Sequence, residues 1–105
     1  MSYVRACALS VLQEDVPKKV ELNGVPVAIV RTDEGVFAIN DTCSHANVSL
    51  SEGEVEDCRI ECWLHGSSFD LRTGKPSGLP ATRPVAVYPV KIEGDDVLVS
   101  VNQEN

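Results

Sequence analysis

The chain has 105 residues and a formal charge of −7, which is the size of one domain. The acidic balance excludes a nucleic-acid backbone or an anionic bilayer surface as the main ligand, because both call for clustered Lys and Arg. A hydrophobic fraction of 43% is ordinary for a globular protein and excludes disorder.

The opening Met1-Ser2-Tyr3-Val4-Arg5-Ala6 lacks the basic and apolar regions of a signal peptide. No apolar run approaches the length that spans a bilayer, so a soluble cytoplasmic protein is expected. Ser10 to Asp15 is the one helical candidate, short and stopped by Pro17. Lys19-Val20-Glu21-Leu22 alternates and meets Val25 to Val30 across Asn23-Gly24. Asn-Gly is a strong hairpin signal because both residues tolerate positive φ. Asp33-Glu34-Gly35 marks a second hairpin, between Ile29-Val30-Arg31 and Val36-Phe37-Ala38-Ile39, with Gly at the positive-φ position.

The stretch 42–76 changes character, carrying Gly53, Gly66, Gly74 and a run of acids. Arg59-Ile60-Glu61 reads as a short strand, Ser68 to Arg72 as another, and Thr73-Gly74-Lys75-Pro76 as a turn. Val87 to Ile92 and Val97 to Val101 flank Glu93-Gly94-Asp95-Asp96 as a third hairpin. Short strands separated by turn signals, with no repeat and no sustained helical period, predict an all-β antiparallel sandwich or barrel. Residues 1–105 are then a single domain. Segments 1–41 and 77–105 form the β scaffold, and 42–76 is an inserted metal-binding unit.

That insertion holds Cys43-Ser44-His45 and Cys62-Trp63-Leu64-His65. The two histidines of the chain and two of its four cysteines fall in these motifs. Two thiolates and two imidazoles on paired loops are the ligand set of a [2Fe–2S] centre in which two His replace two Cys on one iron. The assignment places Cys43 and Cys62 on one iron, and His45 and His65 on the other. Two ferric ions, two sulfides and two thiolates sum to zero charge, so an electron is added more easily than to a four-thiolate cluster. A structural zinc site is the alternative. Its usual spacing pairs Cys with Cys and His with His, the latter on a helix, whereas each motif here mixes the types. Cys7 and Cys58 are left over and are expected to be small buried thiols.

These motifs, with Gly66, Phe69-Asp70, Thr73-Gly74 and Pro80, resemble the Rieske family over essentially the whole chain, most of all the soluble ferredoxins that serve bacterial aromatic-ring dioxygenases. The resemblance implies antiparallel sheets with the cluster loops at an exposed tip. It also implies a proline loop, Gly78-Leu79-Pro80, covering the cluster beside Gly66. The high-potential branch has two further Cys that tie the loops together; Val48 and Leu64 stand there instead, which suits a reducing compartment. Phe69 stands where that branch has a Tyr, while Ser67 matches a hydroxyl that donates to cluster sulfur in that branch. Losing one such donor implies a potential low in the Rieske range. Trp63 fits packing over the cluster better than partner contact. The acids Glu52, Glu54, Glu56, Asp57 and Glu61 fit either a solvated connector or a docking face for a basic partner.

The functional expectation is a monomeric electron carrier that takes single electrons from a flavin-type reductase and gives them to a terminal oxygenase. The alternatives are the small Rieske subunit of a nitrite reductase-like enzyme and a housekeeping ferredoxin for another acceptor. An oxygenase is not expected, because a mononuclear iron site commonly needs two more His and a carboxylate.

Overall fold

The computed structural model describes residues 3–43, 48–63, 67–77 and 83–101. Among them are the strands β1 Val4–Ala8, β2 Lys18–Leu22, β3 Val25–Thr32, β4 Gly35–Asn40, β5 Val55–Glu56, β6 Arg59–Glu61, β7 Ser68–Asp70, β8 Val87–Tyr88, β9 Val90–Glu93 and β10 Asp96–Val99. They form three antiparallel sheets, ordered β1-β10-β9, β2-β3-β4-β8 and β5-β6-β7. No helix among the described residues is long and apolar enough to cross a membrane.

The hairpins follow their turn chemistry. Leu22 pairs with Val25 around Asn23 and Gly24, whose φ values are 52° and 80°, as a two-residue turn matched to strand twist requires. Thr32 pairs with Gly35 across Asp33-Glu34, with Gly35 at φ 135° opening β4. Glu93 pairs with Asp96 across Gly94-Asp95.

Val27, Ala28, Ile29 and Val30 in β3 are all fully buried. A run without polar alternation is what a strand covered on both faces looks like. Ala28, Val30 and Ile39 join a core with Cys43, Leu50, Cys58, Ile60, Cys62, Phe69, Leu71 and Val85. Val27, Ile29 and Ala38 turn the other way, into a core with Cys7, Leu12, Leu22, Tyr88, Val97 and Val99. Successive strand residues point to opposite faces, so the four-stranded sheet separates two cores. The sheet β1-β10-β9 contributes to one core and β5-β6-β7 to the other. At about 1.5–3 kcal/mol for each fully buried aliphatic or aromatic side chain, both are substantial for a chain of this length.

Several sequence expectations shift. The segment Val87 to Ile92 is not one strand. It divides at Pro89 between the four-stranded sheet and the β1-β10-β9 sheet, because Pro has no N–H to continue a ladder. The last strand ends at Val99, where the Ser100 N–H turns to the Pro89 carbonyl at 3.1 Å. The strand from Ser68 stops at Asp70, whose Oδ1 accepts the Arg72 N–H at 2.8 Å and turns the chain. Ser10 to Asp15 gives only a 3₁₀ turn at Leu9–Val11. Strand β1 carries no strict alternation, and β5 is two residues long; periodicity shows neither.

Candidate metal centre

Each cysteine of the two motifs sits at the neck of a short hairpin-like loop. On leaving β4 the chain pairs back on itself. The Leu50 N–H bonds the Asp41 carbonyl at 2.6 Å, Thr42 bridges Ser49, and the Cys43 N–H bonds the Val48 carbonyl at 3.0 Å. In the second neck Glu61 pairs with Ser68 across β6 and β7, and the Cys62 N–H bonds the Ser67 carbonyl at 2.6 Å. In both, the cysteine N–H reaches the carbonyl five residues on. The two thiols therefore occupy equivalent places at the roots of two loops.

Both side chains are buried, Cys43 at 3% exposure and Cys62 at 0%, and they belong to the same core. None of the four cysteines is in a disulfide. Two soft donors buried without a disulfide, on matched necks, fit the thiolate half of an iron–sulfur centre. His45, His65, Gly66 and Pro80 lie outside the described residues. Among the described residues no group of three or more His, Cys, Asp or Glu comes together.

Side chains brace the necks. Asp41, at 1% exposure, accepts the Ser51 N–H on Oδ1 at 2.8 Å, with Lys19 Nζ 3.9 Å from Oδ2. Asn40 accepts the Thr42 N–H at 2.8 Å and donates to the Tyr88 hydroxyl at 3.0 Å. The Ser68 and Ser77 hydroxyls meet at 2.6 Å, and the Ser77 N–H bonds the Ser68 carbonyl at 2.8 Å. That pair ties the second neck to the chain leading toward 78–82. Ser67 is buried at 2%, beside Cys62 through the neck hydrogen bond. Phe69 is fully buried in the same core. Sequence reasoning passes over Asp41. An acid at the end of an apolar strand, just before a ligand motif, is the available signal.

Trp63 is 51% exposed, and with Glu52, Gly53, Glu54 and Glu61 it lines a cleft. Glu54 and Glu61 also line the next depression, with Glu56, Asp57, Arg59 and Ser68. Glu52, Glu54, Glu56, Asp57 and Glu61 are all exposed. None of these five makes an ion pair among the described residues. Arg72, by contrast, is held by Asp70 and Glu34. The Arg72 hydrogen bond in turn keeps the Asp70 carboxyl below its ordinary value. Cys7 and Cys58 are buried as expected, and burial pushes both thiols up.

Comparison with known proteins agrees with this geometry. Residues 2–89 match the family described as the Rieske [2Fe-2S] domain. The chain is 40% identical over 102 residues to the 3-phenylpropionate/cinnamic acid dioxygenase ferredoxin subunit of Escherichia coli (strain K12), covering 96% of this chain and 95% of that one. Its fold is similar to the ferredoxin of carbazole 1,9a-dioxygenase from Nocardioides aromaticivorans IC177, with a TM-score of 0.91, 38% identity and coverage of 95% and 98%. A structure described as a complex of reduced oxygenase and oxidized ferredoxin in carbazole 1,9a-dioxygenase matches with a TM-score of 0.88, 35% identity and coverage of 93% and 92%. With matched thiol necks, three antiparallel sheets and a family match over most of its length, this chain belongs to the Rieske [2Fe-2S] domain family and is one of its electron-carrying ferredoxins.

Proposed function

We propose that this chain is the soluble, monomeric, cytoplasmic ferredoxin of an aromatic-ring dioxygenase system. It carries single electrons from a flavin-type reductase to a terminal oxygenase. The observation that carries this reading is the pair of buried cysteines on equivalent necks. Cys43 and Cys62 would hold one iron, and His45 and His65 the other. The bound cluster supplies one-electron chemistry. Cys43 and Cys62 would keep their sulfurs away from water. The neck hydrogen bonds fix the thiol positions, and Ser67 would offer its hydroxyl to a cluster sulfur. The unit 42–76 acts as an insertion on the scaffold of 1–41 and 77–105. The loop around Pro80 would cover the cluster, with Gly66 beside it.

Half-exposed Trp63 and five exposed acids that make no ion pair among the described residues favour docking over a mere solvated connector. Such a face suits a partner that presents basic residues around an apolar centre, since complementary charge chiefly speeds association. A stopped-flow experiment tests the function. The ferredoxin should be reduced by NADH through a flavin-type reductase and reoxidised by a Rieske-type aromatic-ring oxygenase. Both steps should slow as salt rises. Failure of either step with every such partner tried, while the protein holds its cluster, would contradict the reading.

A further inference from the structure

We propose that Gly53 is a positioning residue that fixes the distance between the two cysteine arms. The inference rests on Cys43 and Cys62 as ligands. Gly53 lies where the chain leaving the first neck crosses the chain entering the second. Its N–H bonds the Leu50 carbonyl at 2.9 Å, and Leu50 in turn is bonded to Asp41, two residues before Cys43. The next residue, Glu54, accepts the Glu61 N–H on its carbonyl at 2.8 Å, and Glu61 directly precedes Cys62. A Cβ on residue 53 would overlap the Glu61 carbonyl oxygen and stand 2.9 Å from its carbonyl carbon. It would also lie 3.3 Å from the Leu50 carbonyl oxygen. The obstacles are backbone, so no side chain can swing aside to make room.

The reason for glycine here is contact and not torsion. Gly53 has φ −90° and ψ −169°, an extended conformation open to any residue. Gly94 is the opposite case, with φ 61° and nothing within 4 Å of the place a Cβ would occupy. An alanine at 94 meets only backbone torsion, whereas an alanine at 53 meets only the backbone of the two arms. The pair separates positioning from general destabilisation. In Gly53→Ala the Glu61 carbonyl must retreat and carry the root of Cys62 with it, while Cys43 stays anchored through Asp41 and Leu50.

The test compares holoprotein of wild type, Gly53→Ala and Gly94→Ala. Gly53→Ala should shift the g-values of the reduced cluster and its voltammetric midpoint. It should also release iron to a chelator roughly 10–100-fold faster, the range seen when outer partners of metal ligands are altered. Gly94→Ala should lower the thermal midpoint but keep wild-type g-values, potential and release rate. If Gly53→Ala cannot be isolated with its cluster while Gly94→Ala can, the proposal stands. Gly53→Ala matching wild type in all three cluster readouts overturns it, as does an equal response from Gly94→Ala. A wild-type protein without an iron–sulfur spectrum would instead remove the ligand assignment beneath it.

Discussion

Asp41 is the sharpest place to test how the fold holds its first ligand arm. Its carboxylate is 2% exposed and, among the described residues, makes one close bond, to the Ser51 N–H at 2.8 Å. Asp41→Ala removes that acceptor and strands a partly buried donor. Hydrogen bonds to charged groups are worth about 1.5–3 kcal/mol, and most of this should be lost. Lys19 adds little, because its Nζ is 3.9 Å away and its side chain is 54% exposed, and such pairs give about 0–1 kcal/mol. The loss should total about 2–3 kcal/mol. With a urea slope of about 1–3 kcal/mol/M, the unfolding midpoint should fall by roughly 0.7–3 M. Asp41→Asn keeps an oxygen on the Ser51 N–H and loses only the charge, so its cost should stay under about 1 kcal/mol. Urea unfolding followed by circular dichroism ranks the three proteins. If Asp41→Asn falls as far as Asp41→Ala, charge and not the hydrogen bond braces the neck. If Asp41→Ala matches wild type, the bracing argument is wrong.

Phe69→Ala empties a fully buried site beside the second neck. It should cost about 3–5 kcal/mol, seen as a lower urea midpoint; a wild-type midpoint would contradict its place in the core. Ser67→Ala should lower the voltammetric midpoint potential, since a hydrogen bond to cluster sulfur favours the reduced form, and an unchanged potential would show that the hydroxyl does not reach the cluster. Burial raises the Cys7 and Cys58 thiols above the ordinary 9.0. The stability tied to these neutral thiols is complete below 9.0 and is lost as pH rises through the raised values. Cys7→Ala should therefore flatten the alkaline limb of a stability-against-pH profile, and a slope identical to wild type would refute that origin.

Much of this is legible in the sequence for identifiable reasons. Asn23-Gly24 and Gly94-Asp95 dictate their turns locally, so those hairpins can be read without tertiary knowledge. The paired Cys and His spacings announce a two-loop metal site because no other role needs both residue types twice. Local signals fail where the decisive partner is distant in the chain. Val87 to Ile92 reads locally as one strand, and only the fold shows that the chain changes sheets at Pro89. Trp63 suits burial by its size, yet the neck geometry leaves it half open beside Glu61. Nothing near Gly53 reveals that the carbonyl of Glu61 fills the space its side chain would need. Asp41 looks like an ordinary strand-end acid, and only the fold brings the Ser51 N–H to it.

The central claim is that one iron is held by Cys43 and Cys62 and the other by His45 and His65. Electron–nuclear double resonance on dithionite-reduced protein carrying ¹⁵N-labelled histidine tests it directly. The account requires two strongly coupled imidazole nitrogens, one lost in each of His45→Cys and His65→Cys, with about two irons and two sulfides per chain in wild type. A spectrum without nitrogen coupling, or a colourless protein holding a single zinc, would contradict it.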